Sequence, residues 1–189
     1  MKTKIGILVL ILAVIISCKT ELTAEEKESY SKKGVEIAQA SFKQLSSELT
    51  KQMKAGGPEL AIPFCNTQAS PLIKELEEKY SVVIKRTSDK IRNPKNKATS
   101  REREIIDSYK NLIGNNEKLA PVVELDMNSA KHFYTPIVLK SNCIVCHGKP
   151  GEDIAEQTIF LLESLYPADM AIGYKEGDLR GIWSVAFKN

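Results

Sequence analysis

The chain opens on a short basic stretch that is followed by an unbroken apolar run. Residues 1–4 contain two lysines, residues 5–16 carry no polar side chain, and Ser17 and Cys18 come next. A membrane-spanning helix needs about 20 consecutive apolar residues, so this run is too short to cross a bilayer. The layout is typical of a secretory signal peptide, which we predict over residues 1–17.

Residues 15–18, Ile-Ile-Ser-Cys, resemble a bacterial lipobox. The resemblance implies cleavage before Cys18, lipidation of its sulfur and stable anchoring of an exported protein to a bacterial membrane. We expect this lipoprotein on the periplasmic or cell-surface face, and ordinary cleavage to a soluble periplasmic protein is the alternative. Polar residues then predict a tether over 18–31, followed by a single domain over 32–189.

Helical periodicity dominates the first half of that domain. Apolar residues recur at three- and four-residue steps between Val35 and Met53, which predicts a long amphipathic helix. Gly56-Gly57-Pro58 is expected to end it, and a short apolar stretch over 61–65 follows. Further helices are predicted over 72–80, from the capping-box pair Thr99 and Glu102 through Tyr109, and over 152–165.

Strand patterns appear after the second predicted helix. Apolar and polar residues alternate from Leu179 to Phe187, and a turn at 176–178 predicts a hairpin with 170–174. The order of helices and antiparallel strands favours an α+β fold, one domain with its helices on one side of a small sheet. The other predicted strands are 81–86, 121–125 and 133–139.

Composition narrows the possible partners. The 189 residues are 42% hydrophobic, which suits one ordinary globular domain. Lys and Arg total 27 against 24 Asp and Glu, and the two signs are interspersed along the chain. A nucleic-acid-binding domain would show a basic stripe or a known reading motif, so we expect no nucleic-acid partner.

Residues 143–147, Cys-Ile-Val-Cys-His, match the C-x-x-C-H signature of c-type haem attachment. The thiols of Cys143 and Cys146 can bond the two vinyl groups of one porphyrin edge, and His147 can then give the iron an imidazole nitrogen. We therefore predict one covalently bound haem c, with His147 as the proximal ligand.

Two other readings of this motif stay open. A thioredoxin-like redox pair would leave His147 unexplained. A zinc site needs four nitrogen or sulfur ligands, and Cys65 and His132 are available to complete one. Export favours haem over both, because c-type attachment takes place outside the cytoplasm.

The second axial position of the iron has few candidate ligands. They are Cys65, His132 and the methionines Met53, Met127 and Met170. Met more often fills a core than binds iron, and a lone Cys is often a small buried apolar residue. Cys65 has no partner for an intramolecular disulfide if Cys18 is lipidated and the other two cysteines bind haem. From composition alone, Cys65 and His132 remain equal candidates.

Four segments in order resemble the family of c-type haem proteins with a PAS-like fold, long catalogued as a domain of unknown function. The resemblance implies a PAS-like antiparallel sheet with flanking helices enclosing the haem, and it implies His147 and Cys65 as the axial ligands. The chain departs from the family pattern at 70–71 and near 115–116, and neither departure touches a ligand. The segments are Ala61–Cys65 with Ala69, 85–88 with 92–96, 143–148, and 171–181 with 183–185.

Thiolate ligation would stabilise ferric iron and give a low potential. Two functions then remain, a redox or gas sensor and, as the alternative, a low-potential periplasmic electron-transfer protein. Either role requires a redox or signalling protein partner. We expect no enzyme activity, since the sequence shows no constellation of a second His or of paired carboxylates that suggests proton-transfer or hydrolytic chemistry.

Arg86 and Arg92 are candidate contacts for the two haem propionates. Arginine pairs well with carboxylates, which is the reason for this expectation. The alternative is that both side chains are solvated residues of a polar loop.

Overall fold

The computed structural model describes residues 21–188, so Cys18 and the predicted signal peptide lie outside the described residues. The described residues form four strands and four α-helices. The strands are β1 Val82–Thr87, β2 Val122–Leu125, β3 Lys131–Val138 and β4 Leu179–Phe187. The helices are α1 Ala24–Tyr80, α2 Ser100–Gly114, α3 Ile144–His147 and α4 Glu156–Leu165. Their order along the chain is α1-β1-α2-β2-β3-α3-α4-β4. Within residues 21–188, none of the helices combines the length and apolar character that a membrane crossing needs.

Helix α1 is two helical segments joined at a kink. Gly56 and Gly57 leave the helical region, and Gly57 has φ 67°, which confirms the break predicted there. The stretch over 61–65 is helical rather than a separate apolar segment, because Pro58 opens the second helical segment and that helix continues to Tyr80.

The tether predicted over 18–31 must be shortened. A capping box between Thr23 and Glu26 starts α1 at Ala24, a signal that the sequence analysis did not use. The Tyr30 ring also packs edge-on against Phe187 of β4, with ring centroids 4.9 Å apart. Residues 24–31 therefore belong to the folded domain.

The sheet is antiparallel in the order β1-β4-β3-β2, with β4 at the centre between β1 and β3. The predicted hairpin between 170–174 and β4 is wrong. Residues 170–174 form no strand, since their amides bond elsewhere: Tyr174 N donates to His147 O at 2.9 Å and Met170 N to Ile91 O at 2.8 Å. Strand β4 instead pairs with β1 on one edge and with β3 on the other, and both partners lie far from it along the chain.

Helices cover both faces of the sheet, not one as predicted. Phe133 packs with the apolar face of α1, whereas the next residue, Tyr134, packs with α2. Successive residues of a strand point to opposite faces, so α1 and α2 lie on opposite sides. Gly34 lets α1 approach closely, because a Cβ there would lie 2.2 Å from Phe133 Cγ. The α+β class with a small antiparallel sheet and flanking helices is confirmed.

Candidate functional site

The C-x-x-C-H motif forms a compact turn between two apolar clusters. A 3-10 turn over Ser141–Cys143 leads directly into α3, which ends at His147. Cys143 packs against the cluster of Leu139, Ala171 and Tyr174. Cys146 packs against a second cluster, formed by Ile62, Ile154, Leu162 and Tyr166. All three thiols in the described residues, Cys65, Cys143 and Cys146, are free.

Gly148 closes this turn and has no room for a side chain. Its amide donates to Ile144 O at 2.7 Å. A Cβ added at Gly148 would lie 2.4 Å from Ile144 Cγ2 and 2.5 Å from Asp153 Cβ. Both contacts are far shorter than van der Waals distance, so glycine is required for the tight packing after His147.

His147 is held in one orientation by the backbone. Its Nδ1 lies 2.7 Å from the carbonyl oxygen of Ala171, to which it donates when neutral. The other ring nitrogen, Nε2, is then the one with a free lone pair for a metal. Burial, followed by the charges of Arg92 and Arg180, lowers the pKa of His147 well below its ordinary value. The neutral imidazole that a metal ligand requires is therefore the favoured state.

Arg92 ties the motif to the loop that follows α4. Its Nε donates to the Asp169 carboxylate at 2.9 Å, and its Nη2 donates to Cys146 O at 2.6 Å and to Ala171 O at 3.2 Å. The side chains of Arg92 and Asp169 are only 14% and 9% exposed. The structure thus gives Arg92 three protein partners, and its predicted contact with a propionate stays a prediction.

The helical segment after the kink in α1 brings Cys65 to the same region. Ile62 belongs to the apolar cluster against which Cys146 packs. Cys65 follows Ile62 by three residues, which puts both on one helix face, and Cys65 is close enough to Cys146 to raise its pKa. Burial raises the pKa of the Cys65 thiol, and the nearby positive charges of Arg86 and Arg92 act in the opposite direction. A thiolate at this position thus needs compensating positive charge, which the two arginines supply in part.

Arg86 lies on β1 on the side of the sheet that α1 covers. It follows Val82 and Ile84 at two-residue steps, and both of those residues pack against α1. Solvent reaches the side chain, yet the surrounding protein lowers its pKa, a combination typical of a residue in a recess. Among residues 21–188 the Arg86 backbone pairs with Trp183 of β4, but its guanidinium forms no hydrogen bond or ion pair. The guanidinium is therefore available to bind an anion.

A third arginine, Arg180, joins Arg86 and Arg92 in one basic region, and no pattern in the sequence indicated its role there. Arg180 donates from Nη1 to Lys90 O at 3.0 Å, and its guanidinium lies 5.7 Å from the Tyr174 ring centre. Burial lowers its pKa to about 10, and the positive charges of Arg86 and Arg92 contribute to the shift. The alternation along β4 indicated a strand there but gave no sign of which loop Arg180 faces.

These residues fit the haem that the sequence predicts. Two thiols and an oriented imidazole lie on one turn, as covalent attachment and axial ligation require. Three guanidinium groups with one carboxylate, Asp169, bound among them suit a ligand that carries two carboxylates. Apolar side chains of the cluster around Ile62 and Tyr166 supply a dry surface beside the thiols.

The structure does not bring His132 to this region. His132 lies on β3, with Nε2 3.3 Å from the Asp126 carboxylate and its ring stacked on Tyr134. It faces the α2 side of the sheet, where it lines an open polar cavity of about 680 Å³ with Lys85 and Glu102.

The three candidate methionines lie in different parts of the structure. Met127 is fully exposed and lines the same polar cavity as His132, and Met170 is 53% exposed. Met53 lies before the kink of α1. No three His, Cys, Asp or Glu side chains of the described part are grouped to hold a metal ion, so a zinc site built on Cys65 and His132 is not assembled.

The chain is similar to a solved protein structure and to one protein family. The crystal structure of the cyanobacterial heme-protein Tll0287 superposes with a TM-score of 0.59 over 89% of this chain and 98% of that one, at 21% identity. At that identity the likeness establishes the fold alone. No curated protein matches the sequence. The model of the Tll0287-like family matches residues 18–187, nearly the whole chain after the predicted signal peptide. The chain therefore belongs to the Tll0287-like family.

Proposed function

We propose that the chain binds one haem c and acts as a redox or gas sensor outside the cytoplasm. The observation that carries the proposal is the bond between His147 Nδ1 and the Ala171 carbonyl at 2.7 Å, since it leaves Nε2 for iron beside two thiols. The cyanobacterial Tll0287 protein is a haem protein, which supports the same cofactor here. A bound haem supplies one-electron redox chemistry and an iron that binds small ligands.

Four side chains hold the group in this proposal. Cys143 and Cys146 form the thioether bonds, His147 is one axial ligand, and Cys65 is the other. The neighbourhood of Cys65 supports its role, because Cys65 lies one helical turn from Ile62, a member of the apolar cluster against which Cys146 packs, and Cys65 itself raises the pKa of Cys146. Arg86 is the side chain best suited to a propionate, since no carboxylate among residues 21–188 pairs with its guanidinium.

The helix that carries Cys65 is interrupted in ways that would let it move in a switch. Gly56 and Gly57 break it upstream, and Pro63 and Pro71 lie within it. Each proline lacks the amide that would bond to the carbonyl four residues earlier, so the turns on both sides of Cys65 are short of a hydrogen bond. A segment with such gaps can change position without unfolding the domain.

Cys65 is the residue that responds in this proposal. With a haem bound, a Cys65 thiolate would hold ferric iron more strongly than iron reduced by a redox partner protein, and protonation would weaken the thiolate further. Loss of this ligand would free the segment over 61–65 and leave the iron able to take up a gas. A non-enzymatic, two-state role follows, with the conformational change as the signal to a partner.

Electron transfer is the second candidate, and one observation favours it. Val145, between the two thiols, is 41% exposed, so the edge of the group held by those thiols would lie near the surface. An electron carrier needs an exposed haem edge and little change in the iron ligands between its two redox states. We further propose that Cys18 carries the lipid anchor and that either role takes place at a bacterial membrane surface.

An anaerobic redox titration of the purified holo-protein, followed optically with and without carbon monoxide, separates the two candidates. The sensor requires that the reduced protein bind carbon monoxide while the oxidised protein keeps both axial ligands. A reversible couple with no carbon monoxide binding in either state would instead assign electron transfer. A protein without a Soret band would overturn both.

A further inference from the structure

The carbonyl oxygen of Ala171 accepts two hydrogen bonds from the site. His147 Nδ1 lies 2.7 Å away, and Arg92 Nη2 lies 3.2 Å away. The same Arg92 nitrogen donates to Cys146 O at 2.6 Å. One guanidinium therefore bonds both to Ala171, which accepts the imidazole's hydrogen bond, and to the residue directly before His147. The imidazole and the cation therefore share one acceptor.

The Arg92 cation is largely shielded from water, which strengthens its interaction with nearby charges. Its side chain is 14% exposed, and charges in such a setting interact more strongly than at the surface. Asp169 neutralises part of the charge, with 2.9 Å between its Oδ2 and Arg92 Nε. The Asp169 carboxylate is itself fixed by the Ala171 amide, which donates to Oδ1 at 2.7 Å. Arg92, Asp169 and Ala171 are thus linked to one another by hydrogen bonds.

We propose that Arg92 is a positioning residue that sets the strength of the His147 hydrogen bond and, through it, the redox potential of the iron. The inference rests on the proposed function. A cationic donor on the Ala171 carbonyl competes for its electron density, which weakens the bond from His147 Nδ1. A weaker bond gives the imidazole less anionic character, so His147 donates less charge to ferric iron.

Two effects of Arg92 on the potential have the same sign. The weakened imidazole bond and the buried positive charge both disfavour ferric iron, so Arg92 raises the potential. Asp169 opposes both effects. Its bond to Arg92 weakens the pull of the guanidinium on the Ala171 carbonyl, and its own negative charge favours ferric iron. Removal of Arg92 and removal of the Asp169 charge should therefore shift the potential in opposite directions.

The experiment compares Arg92→Gln and Asp169→Asn with the wild-type holo-protein. We expect a lower midpoint potential for Arg92→Gln and a higher one for Asp169→Asn. Arg101→Gln is the matched control, since it removes an arginine paired with Glu124 beside the polar cavity on the other face of the sheet, and it should leave the potential unchanged. Shifts of the same sign in both site variants, or no shift in either, would overturn the inference.

A second readout follows the hydrogen bond directly. In the reduced, carbon monoxide-bound protein, which is diamagnetic, the His147 Nδ1 proton resonance should move downfield in Arg92→Gln as the bond strengthens. A purely structural role for Arg92 predicts lower thermal stability with no such downfield shift. If Arg92→Gln does not accumulate with haem, Asp169→Asn decides alone, and an unchanged or lowered potential in it refutes the inference. A wild-type protein that lacks haem staining would refute the proposed function itself.

Discussion

The side-chain amide of Asn66 donates to the carbonyl oxygen of Leu165 at 3.3 Å, which joins the kinked part of α1 to the end of α4. Asn66 is the residue directly after Cys65. Leu165 precedes Tyr166, whose ring belongs to the apolar cluster that holds Cys146. The bond therefore fastens the turn that carries Cys65 to the cluster that holds the C-x-x-C-H motif.

Asn66→Ala should loosen that turn. We expect a loss of about 1 kcal/mol in the free energy of unfolding, as for one partly buried hydrogen bond. We also expect faster carbon monoxide binding to the reduced protein, because Cys65 is held less firmly. Denaturant unfolding and stopped-flow mixing measure the two effects. Gln68→Ala changes an exposed amide on the same helix and is the control, so equal effects in both variants would argue against a specific fastening by Asn66.

Covalent attachment is tested by removing both thiols of the motif. The double variant Cys143→Ser, Cys146→Ser should lose haem staining on a denaturing gel, since no thioether can form. Each single variant should retain weaker staining through its remaining thiol. Full staining of the double variant at the protein band would rule out attachment at this motif.

Glu102 provides a pH-dependent test of the fold. Burial raises the pKa of Glu102, but the hydrogen bonds from Lys85 at 2.7 Å and from the Thr99 amide at 2.8 Å outweigh it, so the pKa lies below its ordinary 4.5. A lowered pKa stabilises the fold above that value, and the contribution is lost as the pH falls through the folded-state pKa.

Glu102→Gln should therefore unfold more easily than the wild type at neutral pH, by about 2 kcal/mol. The difference should shrink on acidification below the ordinary pKa of a carboxyl group. Thermal melts at several pH values measure it. Glu104→Gln is the control, because its carboxylate pairs with Arg101 at the surface with 63% of the side chain exposed. A pH-independent difference would mean that the charge of Glu102 has no part in stability.

The sequence was a good guide wherever a signal is local. The break at Gly56 and Gly57, the capping box at Thr99 and the alternation over 179–187 all predicted elements that the structure contains. These signals depend on backbone preference and on the burial of one face, which neighbouring residues encode. The hairpin prediction failed for the same reason, because the partners of β4 lie far away along the chain.

Several contacts that assemble the site join residues that lie far apart in the sequence. The motif over 143–147 could be read directly, but Asp169 lies 77 residues from Arg92, and Arg180 meets the Lys90 carbonyl 90 residues away. Such pairs depend on how α1, α4 and the sheet pack, and no spacing in the sequence records them. In the sequence, only the family resemblance favoured Cys65 over His132.

Lipidation gives a prediction that is independent of the haem. Cys18→Ser should release the protein from membranes, because the sulfur that would carry the diacylglyceryl group is lost. Membrane fractionation and mass spectrometry of the mature N-terminus measure this. Recovery of the wild-type protein in the soluble fraction, with an unmodified N-terminus, would assign ordinary signal-peptide cleavage instead.

The choice between Cys65 and His132 as the second axial ligand decides between the two functional classes. Cys65→Ala should remove a thiolate, so the ferric protein should become high-spin or water-ligated and the potential should rise. The reduced variant should bind carbon monoxide readily. Electron paramagnetic resonance of the ferric protein and optical titration measure these changes.

His132→Ala is the matched control for that variant. The His132 ring bonds to Asp126 on the α2 side of the sheet, so its loss should leave the ferric spectrum unchanged. A wild-type spectrum with a low-spin thiolate signature, lost only in Cys65→Ala, is the expected result. The reverse pattern would assign ligation by two histidines and would require β3 to move relative to α3. Because two imidazoles stay bound in both redox states, that outcome would also remove the reason to prefer a switch over an electron carrier.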